Sequence, residues 1–150
     1  MKESSKIFID TNIFLRVLVE DDAECLRECS RFLEAVGNES KFRLYISNVV
    51  VLEIGWVLKR FYNFPKKRVI AALRAVEDIK NLKMVNECNF VRGLDIFEKH
   101  KVKLGDAMIA ASDVVQKEKA IIVSYDKDFD KIKGVKKMTP KEAVELIINK

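Results

Sequence analysis

The sequence predicts an α/β protein: a three-layer sandwich with a central, mainly parallel sheet of four to five short strands. Three observations lead there. Short apolar runs such as Ile7-Phe8-Ile9, Leu44-Tyr45-Ile46 and Ala120-Ile121-Ile122-Val123 lack the in–out alternation of a sheet with one wet face, so they read as strands covered on both sides. Longer segments between them repeat apolar residues at helical spacing. With 5 Gly and 2 Pro in 150 residues, no stretch has the composition of a linker, and a single domain over 1–150 is expected.

Ile7-Phe8-Ile9 is the first strand and ends at Asp10. From Asn12 to Glu20 the apolar positions Ile13, Phe14, Val17 and Leu18 have helical spacing. Asp21-Asp22 caps a second amphipathic helix that reaches about Val36 and stops at Gly37-Asn38. Leu44-Tyr45-Ile46 is a second strand, and Ser47 is placed to cap a helix from Asn48 to about Phe61. Pro65 opens the next helix, which reaches about Ile79. Leu82 to Val85 is a third strand, followed by helices from about Asn89 to Lys99 and from Asp106 to Lys117. Ala120 to Val123 is the best strand in the chain, and Val135 to Met138 is an edge strand. Thr139-Pro140-Lys141-Glu142 is a capping box with Pro at the first helical position, so a last helix fills most of 140–149.

The net charge of +5, from 28 basic against 23 acidic residues, favours a polyanionic partner, whether RNA, DNA or an acidic protein. The single histidine, His100, excludes a metal-free ribonuclease built on a His acid–base pair, and a zinc site with two or three His ligands. It sits in Glu98-Lys99-His100-Lys101 and reads as solvated. Cys25, Cys29 and Cys88 are too few and odd in number for a disulfide framework. Cys25 and Cys29 lie four apart on a helix but lack a second ligand pair, so they read as reduced thiols. The polar start, Met1 to Lys6, leads into no signal-peptide core, and no apolar stretch approaches the ~20 residues of a bilayer span. A cytoplasmic protein without membrane contact is expected.

Any hydrolytic chemistry then falls to carboxylates, and four stand out. Asp10 ends the first strand; Asp10 or Thr11 would equally serve as a helix cap, and Asn12 as a turn residue. Glu53 is the only charge in Val49-Val50-Val51-Leu52-Glu53-Ile54-Gly55-Trp56-Val57-Leu58, an expensive place for a carboxylate without a metal, a cation or several hydrogen bonds. Asp106 follows Leu104-Gly105 and opens a small-residue helix, where a capping role is the alternative. Asp126, Asp128 and Asp130 follow the 120–123 strand; Asp126 is nearest its end, and the other two fit a solvated turn. In a parallel α/β sheet all four would meet beyond the carboxyl ends of the strands. Crowded carboxylates need a counter-charge, and oxygen-only ligands select hard ions such as Mg²⁺ or Mn²⁺. Two such ions would activate water and stabilise the attacking and leaving oxygens at phosphorus, so phosphodiester hydrolysis is expected.

These residues resemble the PIN-domain family, above all the VapC-type ribonuclease toxins. The matching signature is Asp10-Thr11-Asn12, Ser47 with Glu53, Asp106-Ala107 with Ala110-Ala111, and Ser124-Tyr125-Asp126-Lys127-Asp128-Phe129, in order over nearly the whole chain. The resemblance implies an α/β sandwich, homodimers and Mg²⁺- or Mn²⁺-dependent cleavage of RNA. Carried over by position, it makes Asp10, Glu53 and Asp106 core metal ligands, with Asp126 completing the set and Glu53 alternatively positioning the nucleophilic water. Asn12 and Ser47 would orient ligands, and Ser124 stands where the family often has Thr. An antitoxin protein is the implied partner, and the helical pair from Asn48 to Ile79 is a candidate dimer surface as much as a core element. Lys59, Arg60, Lys66, Lys67 and Arg68 are candidate RNA-backbone contacts or plain solvated surface. Alternatives are a non-toxin RNA-processing or non-catalytic RNA-binding domain, and a haloacid-dehalogenase-like phosphatase; the last wants an acid where Asn12 stands.

Overall fold

A computed structural model of the protein describes residues 5–86 and 88–149; Met1 to Ser4, most of the polar start of the chain, lie outside them. The strands are β1 (Ser5–Ile9), β2 (Phe42–Ser47), β3 (Leu82–Val85), β4 (Ile121–Val123) and β5 (Lys137–Met138). They form one sheet in the order β3-β2-β1-β4-β5, with every neighbouring pair parallel. Ile7 lies between Leu44 of β2 and Ile121 of β4, so the most apolar segments share the centre of the sheet. Phe8, Ile9, Leu44, Ile122 and Val123 are fully buried, as expected for strands with helices on both faces.

Helices α1 (Thr11–Val19), α2 (Ala23–Gly37), α3 (Asn48–Arg60), α4 (Lys66–Glu77) and α5 (Phe90–Lys99) lie within one or two residues of their predicted bounds. Their ends follow from local chemistry. Asp22 accepts from the Cys25 N–H at 3.0 Å, and Asn89 from the Arg92 N–H at 2.9 Å. Thr139 and Glu142 form the reciprocal capping box that starts α8 (Pro140–Ile148). No helix among the described residues is long and apolar enough to cross a membrane.

The segment 106–117 departs from the single helix its sequence predicts. It is two helices, α6 (Leu104–Ala110) and α7 (Asp113–Gln116). Three side chains take the carbonyls that a continuous helix would use. Ser112 Oγ donates to Ile109 O at 2.8 Å, Gln116 Nε2 to Ala110 O at 2.7 Å, and Arg92 to Ala111 O at 2.9 Å. Helix α6 also starts two residues early, with Lys103 at the cap position. Asp106 is therefore not the cap; its carboxylate accepts no capping N–H and stays available for other partners.

Candidate functional site

In the order 3-2-1-4-5 the chain leaves β1 toward one side of the sheet and later crosses to the other through β4. The crevice beyond the carboxyl ends of β1 and β4 is therefore the topological switch point, where parallel sheets bind ligands. Asp10 follows β1 directly, and Ser124 and Asp126 follow β4.

These loop residues are locked together. The Thr11 N–H donates to Asp10 Oδ1 at 2.8 Å, and the Ser124 hydroxyl donates to Asp10 Oδ2 at 2.7 Å. Asn12 Nδ2 donates to Asp10 Oδ2 and Ser124 Oγ, both at 3.1 Å, while Asn12 Oδ1 accepts from the Tyr125 N–H at 3.3 Å. Ser124 Oγ also accepts from the Asp126 N–H at 2.9 Å. One hydroxyl thus ties the Asp10 carboxylate at the end of β1 to the backbone of Asp126 after β4.

Helix α6 brings the third. Asp106 is 4% exposed, and Asp106, Asp126 and Asp128 each place an oxygen within 4.8 Å of the other two. Asp128 is thereby drawn into the cluster rather than left in solvent, whereas Asp130 pairs with Lys137 at 3.0 Å on an exposed surface. Glu53 enters from α3. A Cβ on Gly105 would lie 2.6 Å from Glu53 Oε1, so only the missing side chain at 105 lets that carboxylate lie against α6. Glu53 is half-buried; Val50 beside it is buried, but Trp56 points outward at 59% exposure, so the apolar setting read from the sequence is one-sided.

Electrostatics mark the site as under-compensated. Burial and the negative charge of Asp10 push the Glu53 carboxyl up to about 7. Burial, with the charges of Asp10 and Asp126, also raises Asp106 above the usual carboxylate range. Asp10 is raised by burial, against the opposing hydrogen bonds from Ser124 and Thr11. For Asp126 burial is outweighed by the Lys103 ammonium and the Asp128 N–H, and its carboxyl is lowered. Among the described residues, Glu53 Oε1, Asp106 Oδ2, Ser47 Oγ and Thr11 Oγ1 are buried without a hydrogen-bond partner. Buried polar atoms are nearly always satisfied, so two carboxylate oxygens left without a hydrogen bond, one of them 3.6 Å from the Lys103 ammonium, fit an oxygen-seeking divalent cation. Ser47 holds the cap position of α3 but makes no side-chain cap bond.

Two residues of the site escaped the sequence reading, Lys103 and Gly105. Lys103 donates its ammonium to Asp126, and its backbone N–H donates to Asp128 Oδ2 at 3.1 Å. The signal was present in Lys103-Leu104-Gly105-Asp106, where one helical turn holds a cation, a glycine and an acid. The basic residues singled out beforehand lie elsewhere. Lys59 and Arg60 end α3, roughly 10 Å of helix axis beyond Glu53. Lys66, Lys67 and Arg68 open α4, with the Arg68 guanidinium 3.7 Å over the Phe64 ring. His100 is half-buried at the end of α5, its Nδ1 3.0 Å from Ile96 O, rather than fully solvated. The three cysteines are free thiols: Cys29 is buried, Cys25 partly buried and Cys88 exposed.

The family model described as "PIN domain" matches residues 7–135 of the chain. No curated protein matches the sequence significantly. Several solved structures share the fold. VapBC2 from Rickettsia felis, solved bound to a promoter DNA fragment, superposes with a TM-score of 0.67 at 14% identity, covering 89% of this chain and 98% of that one. A toxin–antitoxin complex from Klebsiella pneumoniae gives 0.60 at 23% identity, covering 89% and 97%. Mycobacterium tuberculosis VapC20, described as a toxin cleaving the Sarcin-Ricin loop, gives 0.59 at 18% identity, covering 83% and 92%.

Proposed function

This chain belongs to the PIN-domain family, and on that premise we propose that it is a Mg²⁺- or Mn²⁺-dependent endoribonuclease acting as the toxin of a toxin–antitoxin pair. One observation carries the reading: Asp106, buried and raised above the carboxylate range, keeps an oxygen with no hydrogen bond and only the Lys103 ammonium 3.6 Å away, beside Asp126 and Asp128 at the switch point of the sheet.

Asp10, Glu53, Asp106 and Asp126 would hold the ions, with Asp128 as a further oxygen. Bound there, a divalent ion lowers the pKa of water and neutralises charge developing at phosphorus. The rest is the work of the chain. Ser124 and Asn12 at Oδ2 and the Thr11 N–H at Oδ1 fix the rotamer of Asp10 at the carboxyl end of β1. Glu53, whose buried Oε1 has no hydrogen bond, would bind an ion or position the attacking water. Ser47, buried with no hydrogen bond to its hydroxyl, would orient a ligand.

The excess of basic residues supports an RNA substrate, with Lys59, Arg60, Lys66, Lys67 and Arg68 as outlying backbone contacts. The exposed apolar side chains of α3 and α4, Leu52, Trp56 and Ile70, support a homodimer, and a cognate antitoxin is the further partner. A single domain acting in the cytoplasm completes the reading.

The test is cleavage of several RNAs, including a structured stem-loop, with Mg²⁺, Mn²⁺ or chelator, in wild type beside Asp106→Asn. Cleavage by wild type alone, abolished by chelator, is expected. Phosphate release from small phosphomonoesters, or RNA binding without cleavage under any divalent ion, would sink the proposal.

A further inference from the structure

Lys103 stands at the cap position of α6, three residues before Asp106. Its main chain and its side chain are tied to the same loop: the N–H donates to Asp128 Oδ2 at 3.1 Å, and the ammonium donates to Asp126 Oδ2. The ammonium also lies 3.6 Å from Asp106 Oδ2, an oxygen with no hydrogen-bond partner. It therefore rests against two of the three carboxylates whose oxygens cluster within 4.8 Å. Yet the side chain is 69% exposed, so the pairing is held at the mouth of the crevice and not sealed inside it.

An ammonium and a divalent cation compete for those oxygens. Each satisfies the same negative charge, and at a few ångströms they repel one another. An exposed lysine pair is worth little, with a median of about 0–1 kcal/mol for simple pairs, so the stem can swing into water once a stronger cation arrives. We propose that Lys103 is a resident counter-cation of the acidic crevice, competing with the divalent ion for Asp106 and Asp126 and thereby weakening its binding. The inference rests on the crevice being a divalent-ion site, as read above. It assigns Lys103 a positioning role: the side chain holds Asp126 toward Asp106 and sets the ion concentration at which the site fills.

The test measures Mn²⁺ affinity by calorimetry, and melting temperature in chelator, for wild type, Lys103→Met, Lys103→Gln, Lys103→Arg and Asp106→Asn. Both uncharged variants should bind Mn²⁺ about fivefold more tightly than wild type, which is about 1 kcal/mol. They should also melt lower than wild type in chelator, because the carboxylates lose their counter-charge. Lys103→Arg, which keeps the charge, should stay near wild type in both readouts. A lysine serving structure alone would lower the melting temperature without raising affinity. If wild type binds Mn²⁺, Asp106→Asn does not, and neither uncharged variant binds more tightly, competition is refuted and the site reading stands. If neither wild type nor the uncharged variants bind Mn²⁺, both fall together.

Discussion

The hydroxyl of Ser124 donates to Asp10 Oδ2 across 2.7 Å, joining the carboxyl end of β4 to that of β1 through two fully interior side chains. The same oxygen accepts from the Asp126 N–H and from Asn12 Nδ2. Replacing it with Ser124→Ala leaves three buried or half-buried partners short of a bond, a loss of about 1–3 kcal/mol. A lower midpoint in denaturant and reduced cleavage are expected, with Ser124→Thr closer to wild type because it keeps the hydroxyl. Unchanged stability in Ser124→Ala would show that water replaces the hub.

Asp106→Asn separates stability from activity. Burial among like charges raises the Asp106 carboxyl to about 8, and the amide removes the charge that forms above that pH at nearly constant volume. In chelator at pH 9 the variant should melt above wild type, while Mn²⁺ no longer raises its melting temperature and cleavage is lost. Calorimetry with and without Mn²⁺ decides it; a variant still stabilised by Mn²⁺ would contradict a ligand role.

Gly105→Ala sets two effects against each other. Alanine in α6 gains about 1 kcal/mol of helix propensity over glycine. Its Cβ, however, falls 2.6 Å from Glu53 Oε1, and the flexible end of that side chain gives way more easily than a helix does. The fold should survive with little change in melting temperature, and cleavage should fall at least tenfold as the carboxylate is displaced. Full activity would remove Glu53 from the reaction.

The pH dependence has a definite sign. Glu53 is pushed up to about 7 in the folded chain, against an ordinary value of 4.5. A raised carboxyl favours the folded state fully below the unfolded value, and the contribution is lost as pH rises through about 7. Asp10 and Asp106 shift in the same direction. In chelator, wild type should therefore melt higher at pH 5.5 than at pH 8, and Glu53→Gln should flatten that slope. Mn²⁺ binding should run the other way and weaken below about pH 7, because protonated carboxylates do not ligate.

Much of this protein is written in local sequence. The apolar runs at 7–9, 44–46 and 120–123 lack alternation because strands covered on both faces have no wet side, and from that the parallel sheet follows. Capping residues are equally local, which is why Asp22, Asn89 and Thr139 start helices where they were expected. Asp10, Asp106 and Asp126 are legible as acids at element ends, and the alternation of strands with helices places them at one edge of the sheet.

Tertiary structure alone decided the rest. The break between α6 and α7 is completed by Arg92, a residue nearly twenty positions away, reaching Ala111 O beside the local bonds of Ser112 and Gln116. Whether Asp128 or Asp130 joins the cluster depends on competing partners, the Lys103 N–H and the Lys131 ammonium at Asp128 and the Lys137 ammonium at Asp130. Gly105 matters only because α3 brings Glu53 against it. Sequence determines what each segment prefers by itself, since propensity, capping and burial pattern act over a few residues. Which charges meet is set by distances between segments far apart in the chain, and no local preference encodes those.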